Sequence, residues 1–283
     1  MAFGDLRKKP NILSIVTTIL MLAAVPSHAG VGPPHTLSVV TLNLWHDQGD
    51  WPKRLSLILA EMRRLRPDVI CLQEVLQHRT LRNQAETVAD SLGYQVTFAS
   101  VDSVHREKRY GNAILTHGRM LVAGGKNLEP TNDYRTAAHA RVEFEGRTLD
   151  VYDTHLHHTP EGGAIRKTQI RDLLAYIDST RGDGAVVLAG DFNAELESPE
   201  MQVLTDEFVD AFRTAHPAAT RAEAVTFNSR FGPDPGAIDH IFVSKTTRAH
   251  LRPRTCEILF RSVGPDSVWA SDHFGVVAWF ALH

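Results

Sequence analysis

Cysteine is scarce: Cys71 and Cys256 are the two in 283 residues. Each lies in an apolar, strand-like run, Val69-Ile70-Cys71-Leu72 and Thr255-Cys256-Glu257-Ile258. A zinc or redox pair needs closer spacing or a turn, so both read as small buried residues, with a disulfide between them left open. No stretch rich in proline, glycine or serine, no block of like charge and no low-complexity segment marks a domain boundary. Their absence argues for one large core, which a 43% hydrophobic, 22% charged chain of this length can build. A basic excess is also missing. The formal net charge is −3, unlike the footprint of a strong nucleic-acid binder. The local clusters Arg106/Lys108/Arg109 and Arg248/Arg252/Arg254 read as solvated surface.

One apolar run stands apart. Arg7, Lys8 and Lys9 precede the mostly apolar stretch Ile12 to Val25, and Pro26-Ser27-His28-Ala29 ends in a small residue suited to cleavage. Residues 1–29 therefore read as a secretory signal peptide, the apolar part being short for a membrane span. Cleavage near Ala29 makes a secreted or periplasmic protein the expectation. It removes three basic residues and one acid, taking the formal charge from −3 to −5.

From residue 36 the periodicity switches back and forth. Thr36 to Leu44 reads as a strand, and Trp51, Leu55, Ile58, Leu59, Met62 and Leu65 fall on one helical face between Pro52 and Pro67. A strand from Asp68 to Leu72 ends in Gln73-Glu74, followed by a helix (Leu81 to Leu92) and a strand (Tyr94 to Ala99). Four strand-like runs then alternate with turns: Asn112–Thr116, Leu121–Leu128, Thr136–Phe144 and Thr148–His155. Glu145-Gly146 suits a hairpin turn. A helix covers roughly Gly162 to Ser179, the apolar strand Ala185 to Ala189 leads into Gly190-Asp191-Phe192-Asn193, and a short helix follows near Ser198–Thr205. Strands at Val225–Asn228, Ala237–Val243, Arg254–Phe260 and Phe274–Ala281 complete the chain. Two similar halves of this kind predict a single α+β domain over 36–283, a four-layer α/β/β/α sandwich of two packed mixed β-sheets.

Polar residues recur where the strands end: Asn43, Glu74, His155, Asp191, Asn193, Asp239 and Asp272-His273. Each alone has an ordinary structural reading as a turn, a cap or a half-exposed face. Together they can converge on one cleft. In Gly190-Asp191-Phe192-Asn193 the alternation sends Asp191 and Asn193 the same way, a carboxylate to accept a water's proton beside an amide to orient it.

The ordered set Thr41-Leu42-Asn43, Leu72-Gln73-Glu74, Asp153-Thr154-His155-Leu156, Gly190-Asp191-Phe192-Asn193, Ile238-Asp239-His240-Ile241 and Ser271-Asp272-His273 resembles the endonuclease/exonuclease/phosphatase superfamily, with its deoxyribonuclease I-like fold. The resemblance spans 36–283. It implies a metal-dependent phosphoester hydrolase in which Asn43, Glu74 and Asp272 hold Mg²⁺, Mn²⁺ being a second option. Asp191, with Asn193, takes the proton of the attacking water. His273, kept protonated by Asp239, stabilises phosphoryl oxygens, and His155 contacts the phosphate or leaving group. Asn112, Arg135 and His157 are similar to positions near the substrate. Two departures matter. Trp45 stands where many nucleases of the family carry an acid, against a second metal. His157-His158-Thr159-Pro160 is richer in imidazole than the commoner pattern, which suits Mn²⁺, Zn²⁺ or a phosphate contact better than Mg²⁺. His157 shares the face of His155, and His158 is expected in the loop.

The expected partner is a phosphoester, either nucleic acid or a phospholipid head group, with no obligate protein partner and a monomeric chain. A phosphodiesterase leads, an exported nuclease and a sphingomyelinase-like phospholipase C standing nearly level, with a phosphomonoesterase as a further alternative. A non-catalytic binding module with the same fold is the rival from another class, and it predicts losses among the catalytic set that the sequence does not show.

Overall fold

The computed structural model describes residues 1–2, 36–233, 236–246 and 251–282. The proposed signal segment, residues 1–29, lies outside the described residues apart from Met1 and Ala2. Along the chain run β1 (Thr36–Asn43), α1 (Trp51–Leu65), β2 (Val69–Gln77), α2 (Gln84–Leu92), β3 (Gln95–Ser100), β4 (Arg109–Thr116) and β5 (Arg119–Asn127). Next come β6 (Thr136–Phe144), β7 (Arg147–His155), α3 (Gly163–Thr180), β8 (Ala185–Asp191), α4 (Gln202–Thr205) and β9 (Phe208–Asp210). Two short helices, α5 (Ala211–Ala215) and α6 (Arg221–Ala224), precede β10 (Asp239–Ser244), β11 (Leu251–Leu259) and β12 (Gly275–Leu282).

The strands form two six-stranded mixed sheets, ordered β11-β12-β1-β2-β4-β3 and β5-β6-β7-β8-β10-β9. Strand alternation sorts each sheet's side chains. Val39, Val69, Cys71 and Ile114 of the first sheet meet Ala138, Ala140, Val151, Val187 and Ile241 of the second in the central core. The alternate residues Val40, Leu42, Ile70 and Leu72 face outward onto Trp51, Ile58 and Met62 of α1 and Val88 of α2. On the other side Leu188 and Phe242 pack on Ile170, Leu173 and Ile177 of α3. This is the four-layer sandwich expected from the sequence. Both cysteines are free and buried, Cys71 in β2 and Cys256 in β11.

Three carboxamides of the first sheet reach across to the second. Asn43 Nδ2 donates to Asp191 Oδ2 (2.9 Å), Gln73 Nε2 to Asp153 Oδ1 (2.6 Å) and Asn112 Nδ2 to the Thr136 carbonyl (2.8 Å). A buried polar group needs such a partner, and these cross-sheet bonds fix how the sheets face one another. Burial pushes the Asp153 carboxyl well above its usual range, which suits its neutral amide surroundings.

Some expected elements differ. β2 runs on to Gln77 because a register shift between Leu72 and Val75 absorbs Gln73-Glu74 as a bulge. Val225–Asn228 is not a strand: Phe227 makes one isolated bridge to His273. α2 starts at Gln84, where Asn83 accepts from the Ala85 and Glu86 amides.

Gly190 has φ +144, and a Cβ there would lie 2.0 Å from the Thr154 carbonyl oxygen of the paired β7. Gly190→Ala should therefore destabilise the protein by about 2 kcal/mol or more, since the backbone must give way. Urea unfolding measures this, and a variant as stable as the parent would refute the close approach.

Candidate active site

The strand order sets the site. β7 and β8 run parallel with His155 opposite Asp191, and β10 runs antiparallel to β8 with Asp239 opposite Asp191. Three chemistry-bearing residues thus line up across three adjacent strand tips of the second sheet. The end of β1 in the first sheet brings Asn43 to the same carboxylate. Ser271 Oγ donates to the Asn43 carbonyl (2.6 Å), and His273 N donates to Ser271 Oγ (3.2 Å), so the turn before β12 is tied to the tip of β1.

Asp191 is the centre. Its Oδ1 accepts from the Asn193 amide (3.0 Å), and its Oδ2 lies 3.4 Å from His155 Nε2 and 3.7 Å from His273 Nε2. Asn193 adopts φ +49, a left-handed conformation that asparagine tolerates, and its Nδ2 donates to the Leu156 carbonyl (3.1 Å). Burial first, and then the charge of Asp239, pushes Asp191 up to about 7. Burial alone would lower His273, but Asp239 and Asp191 outweigh it and raise His273 to about 10, with His273 Nδ1 2.9 Å from Asp239 Oδ2. His155 goes the other way: burial and then Arg135 hold it well below the usual imidazole range. One carboxylate therefore sits between a protonated histidine and a neutral one.

Two donor sets could hold a cation. Ligand atoms of Asp191, Asp239 and His273 lie within 4.8 Å of one another. A protonated His273 has no lone pair to give, however, and that trio reads as acid–base machinery. Asn43, Glu74 and Asp272 offer oxygen only, the donor type a hard cation takes. Burial raises Asp272, and the charge of Glu74 raises it further, a repulsion that a divalent cation would relieve. Glu74 is delivered by the β2 bulge at φ +55, a conformation costing about 1 kcal/mol for a residue with a Cβ. This oxygen set fits Mg²⁺ or Mn²⁺.

These groups open into a cleft of about 850 Å³ lined by Asn43, Glu74, Arg135, His155, Asp191, Asn193, Asp272 and His273. Asp239 stands behind His273 and orients it. Two expected substrate residues lie elsewhere. Asn112 is not among the lining residues, because its amide is spent on Thr136. His157 has Nδ1 2.8 Å from Asp133 and Nε2 2.9 Å from Thr159 Oγ1, so both ring nitrogens serve the loop. β7 ends at His155, the strand alternation lapses, and it is His158 that lines the cleft.

Two buried arginines escaped the sequence reading. Arg54 is 1% exposed, donates to the carbonyls of Leu44, Trp45, His46, Gln48 and Ala270, and stacks on Trp45 and Trp51. It clamps the turn after Asn43 to the turn before Asp272. Arg166 pairs with Glu200 (2.7 Å) and donates to the His157 and Thr159 carbonyls, shaping the rim. The available signal was a charge inside an apolar helical stripe, four residues before Ile58 and Ile170 respectively.

The family model described as Endonuclease/Exonuclease/phosphatase family matches residues 40–273. The chain belongs to that family, whose members are hydrolases acting on phosphoester bonds. Nocturnin of Drosophila melanogaster is 28% identical over 277 residues, covering 82% of this chain and 42% of that protein. The chain thus spans about two fifths of this curated relative. A family protein from Bacteroides vulgatus has the same fold, with a TM-score of 0.73 at 22% identity over 88% of this chain and 100% of that one. TDP2 of D. rerio, complexed with a single-strand DNA product, gives 0.72 at 19% identity over 87% and 98%.

The Asp239 contact should be visible by NMR. His273 should titrate near pH 10 in the parent. In Asp239→Asn, where a negative charge is gone, it should titrate at least about one unit lower. An unmoved His273 would contradict the pairing.

Proposed function

We propose that this chain is an exported, Mg²⁺-dependent phosphodiesterase acting on nucleic acid. The observation that carries the reading is the Asp191 carboxylate, held by Asn43 and Asn193 between neutral His155 and protonated His273. Asn43, Glu74 and Asp272 would hold the cation, which supplies Lewis-acid stabilisation of phosphate oxygens when bound. The side chains do the rest. Ionised Asp191 accepts the proton of a water that Asn193 orients. Protonated His273, backed by Asp239, faces the charge that builds on the phosphoryl oxygens. His155, uncharged, lines the cleft and offers an imidazole nitrogen to the phosphate or leaving oxygen.

Nucleic acid is preferred over a phospholipid head group because the cleft is far larger than one phosphate, and Phe227 lies along it, 5.1 Å from the His273 ring. An aromatic face there can stack a base. The DNA product bound by TDP2 supports the same choice. The amino-terminal segment supports export.

Asp191→Asn should lower kcat about 10³-fold while the melting temperature changes little, since the side chains are isosteric. A folded variant with parental activity would sink the role of Asp191. In the parent, kcat/KM should rise as pH passes about 7, where Asp191 ionises, and fall again near 10 as His273 loses its proton. Activity should vanish with EDTA and return with Mg²⁺. Screening single-stranded DNA, RNA, sphingomyelin and bis-p-nitrophenyl phosphate decides the substrate, and cleavage of sphingomyelin alone would overturn the nucleic-acid choice.

A further inference from the structure

Several charged groups line the cleft without entering the chemistry above, and one pair is built in an unusual way. Arg135 precedes β6, and His158 follows β7 by three residues. Arg135 Nη2 lies 3.2 Å from His158 Nδ1. A guanidinium can only donate, so Nδ1 is the acceptor and the ring's proton sits on Nε2. Burial and the charge of Arg135 lower the His158 pKa, in keeping with a neutral ring. His158 therefore presents a fixed N–H donor beside the guanidinium.

The support behind this pair is equally built. Asp133 Oδ1 lies 2.8 Å from His157 Nδ1, and Asp133 Oδ2 accepts from Gln169 Nε2 (2.7 Å) and lies 4.0 Å from Arg135 Nε. Gln169 Oε1 in turn accepts from the His157 amide (2.9 Å). Asp133 is thus largely engaged by two other donors. Arg166 and Arg221, the cleft's other described arginines, are held by Glu200 at 2.7 Å and Glu195 at 2.5 Å. Among the described residues Arg135 makes no carboxylate contact as close as these, the nearest being Asp133 at 4.0 Å, so more of its charge is left for a ligand.

Its backbone is set apart from the attacked bond. In the second sheet β6 is the second strand away from β8, the strand that carries Asp191. Two inter-strand steps amount to about 10 Å. A phosphate attacked beside Asp191 contacts His155 and His273 first, and a group at Arg135 lies one strand beyond His155.

We propose that Arg135 and His158 form a second anion subsite, which binds a non-reacting phosphate next to the scissile one on a nucleic-acid strand. This rests on the phosphodiesterase reading above and narrows its substrate to a chain of linked phosphates. Asp133, His157 and Gln169 are the positioning residues of the subsite. His157, which the spacing had placed in the site itself, acts one step behind it.

The test compares Arg135→Gln and His158→Ala with the parent on two substrates under Mg²⁺: a single-stranded oligonucleotide, and bis-p-nitrophenyl phosphate, which carries one phosphate. His158 is exposed, so its variant stays folded should Arg135→Gln not. The expected result is a loss in kcat/KM about tenfold greater on the oligonucleotide than on the small ester, appearing mainly in KM. The parent's dependence of log KM on log salt should also become shallower by about 0.7 in Arg135→Gln, the share of one phosphate contact on a single strand. Equal losses on both substrates, or an unchanged salt slope, overturn the subsite. A parent that hydrolyses neither substrate sinks the phosphodiesterase reading instead. Oligonucleotide binding by fluorescence anisotropy, compared between Asp191→Asn and Asp191→Asn with His158→Ala, then tests the subsite alone; equal affinity of the two overturns it.

Discussion

The hydrogen bond from Asn43 to Asp191 is the constraint on which the site depends. It joins the tip of one sheet to the tip of the other at a carboxylate that is 1% exposed. A charge so placed is costly unless its surroundings answer it, and here they do so with an amide, a backbone N–H and a protonated imidazole. Burial and Asp239 hold the Asp191 pKa near neutrality, so the group can both give up and take a proton at ordinary pH. Asp239, by charging His273, supplies the cation that keeps the centre from accumulating uncompensated negative charge.

The rigidity to hold these groups comes from beneath them. Gln73 and Asn112 repeat the cross-sheet contact of Asn43 deeper in the fold. Arg54 fixes the two turns that carry Asn43 and Asp272 by filling five carbonyls from one buried guanidinium. Such a group tolerates burial because every donor has an acceptor, and it gathers backbone from segments far apart in the chain. The positive φ at Glu74 and Asn193 falls where the strands bend locally and turn these two side chains toward the cleft they line.

Charge placement divides the cleft into an acidic end and a basic end. Asp191, Asp239, Asp272 and Glu74 concentrate negative charge where His273 answers it and a bound cation would. Arg135 and His158 lie toward β6, where no described acid matches them closely. A mildly acidic protein can therefore hold an anionic substrate by local arrangement rather than by net charge.

How much of this was legible in the sequence varies with the range of the forces involved. Strand alternation and helical stripes name the four layers, since burial on one face imposes those periods locally. The polar strand ends Asn43, Asp191, Asn193, Asp239 and His273 stand out for the same reason: the pattern shows where regular structure stops. Val225–Asn228 misled because its composition is strand-like, while its backbone bonds go to Gly236, Asp272 and Phe274 in an irregular arrangement that leaves one isolated bridge, Phe227 to His273. His157 and His158 exchanged places because alternation ceases with the last ladder bond of β7, and a loop's own hydrogen bonds to Asp133 and Thr159 then decide where each ring points. The sequence by itself determined the layers, the order of the strands' apolar faces and the inventory of acid, base and oxygen ligands. The tertiary structure alone decided which charges are neutralised, which arginines are spent on carbonyls and which is left for a ligand. Those outcomes depend on distances between segments far apart in the chain, and no local pattern encodes them.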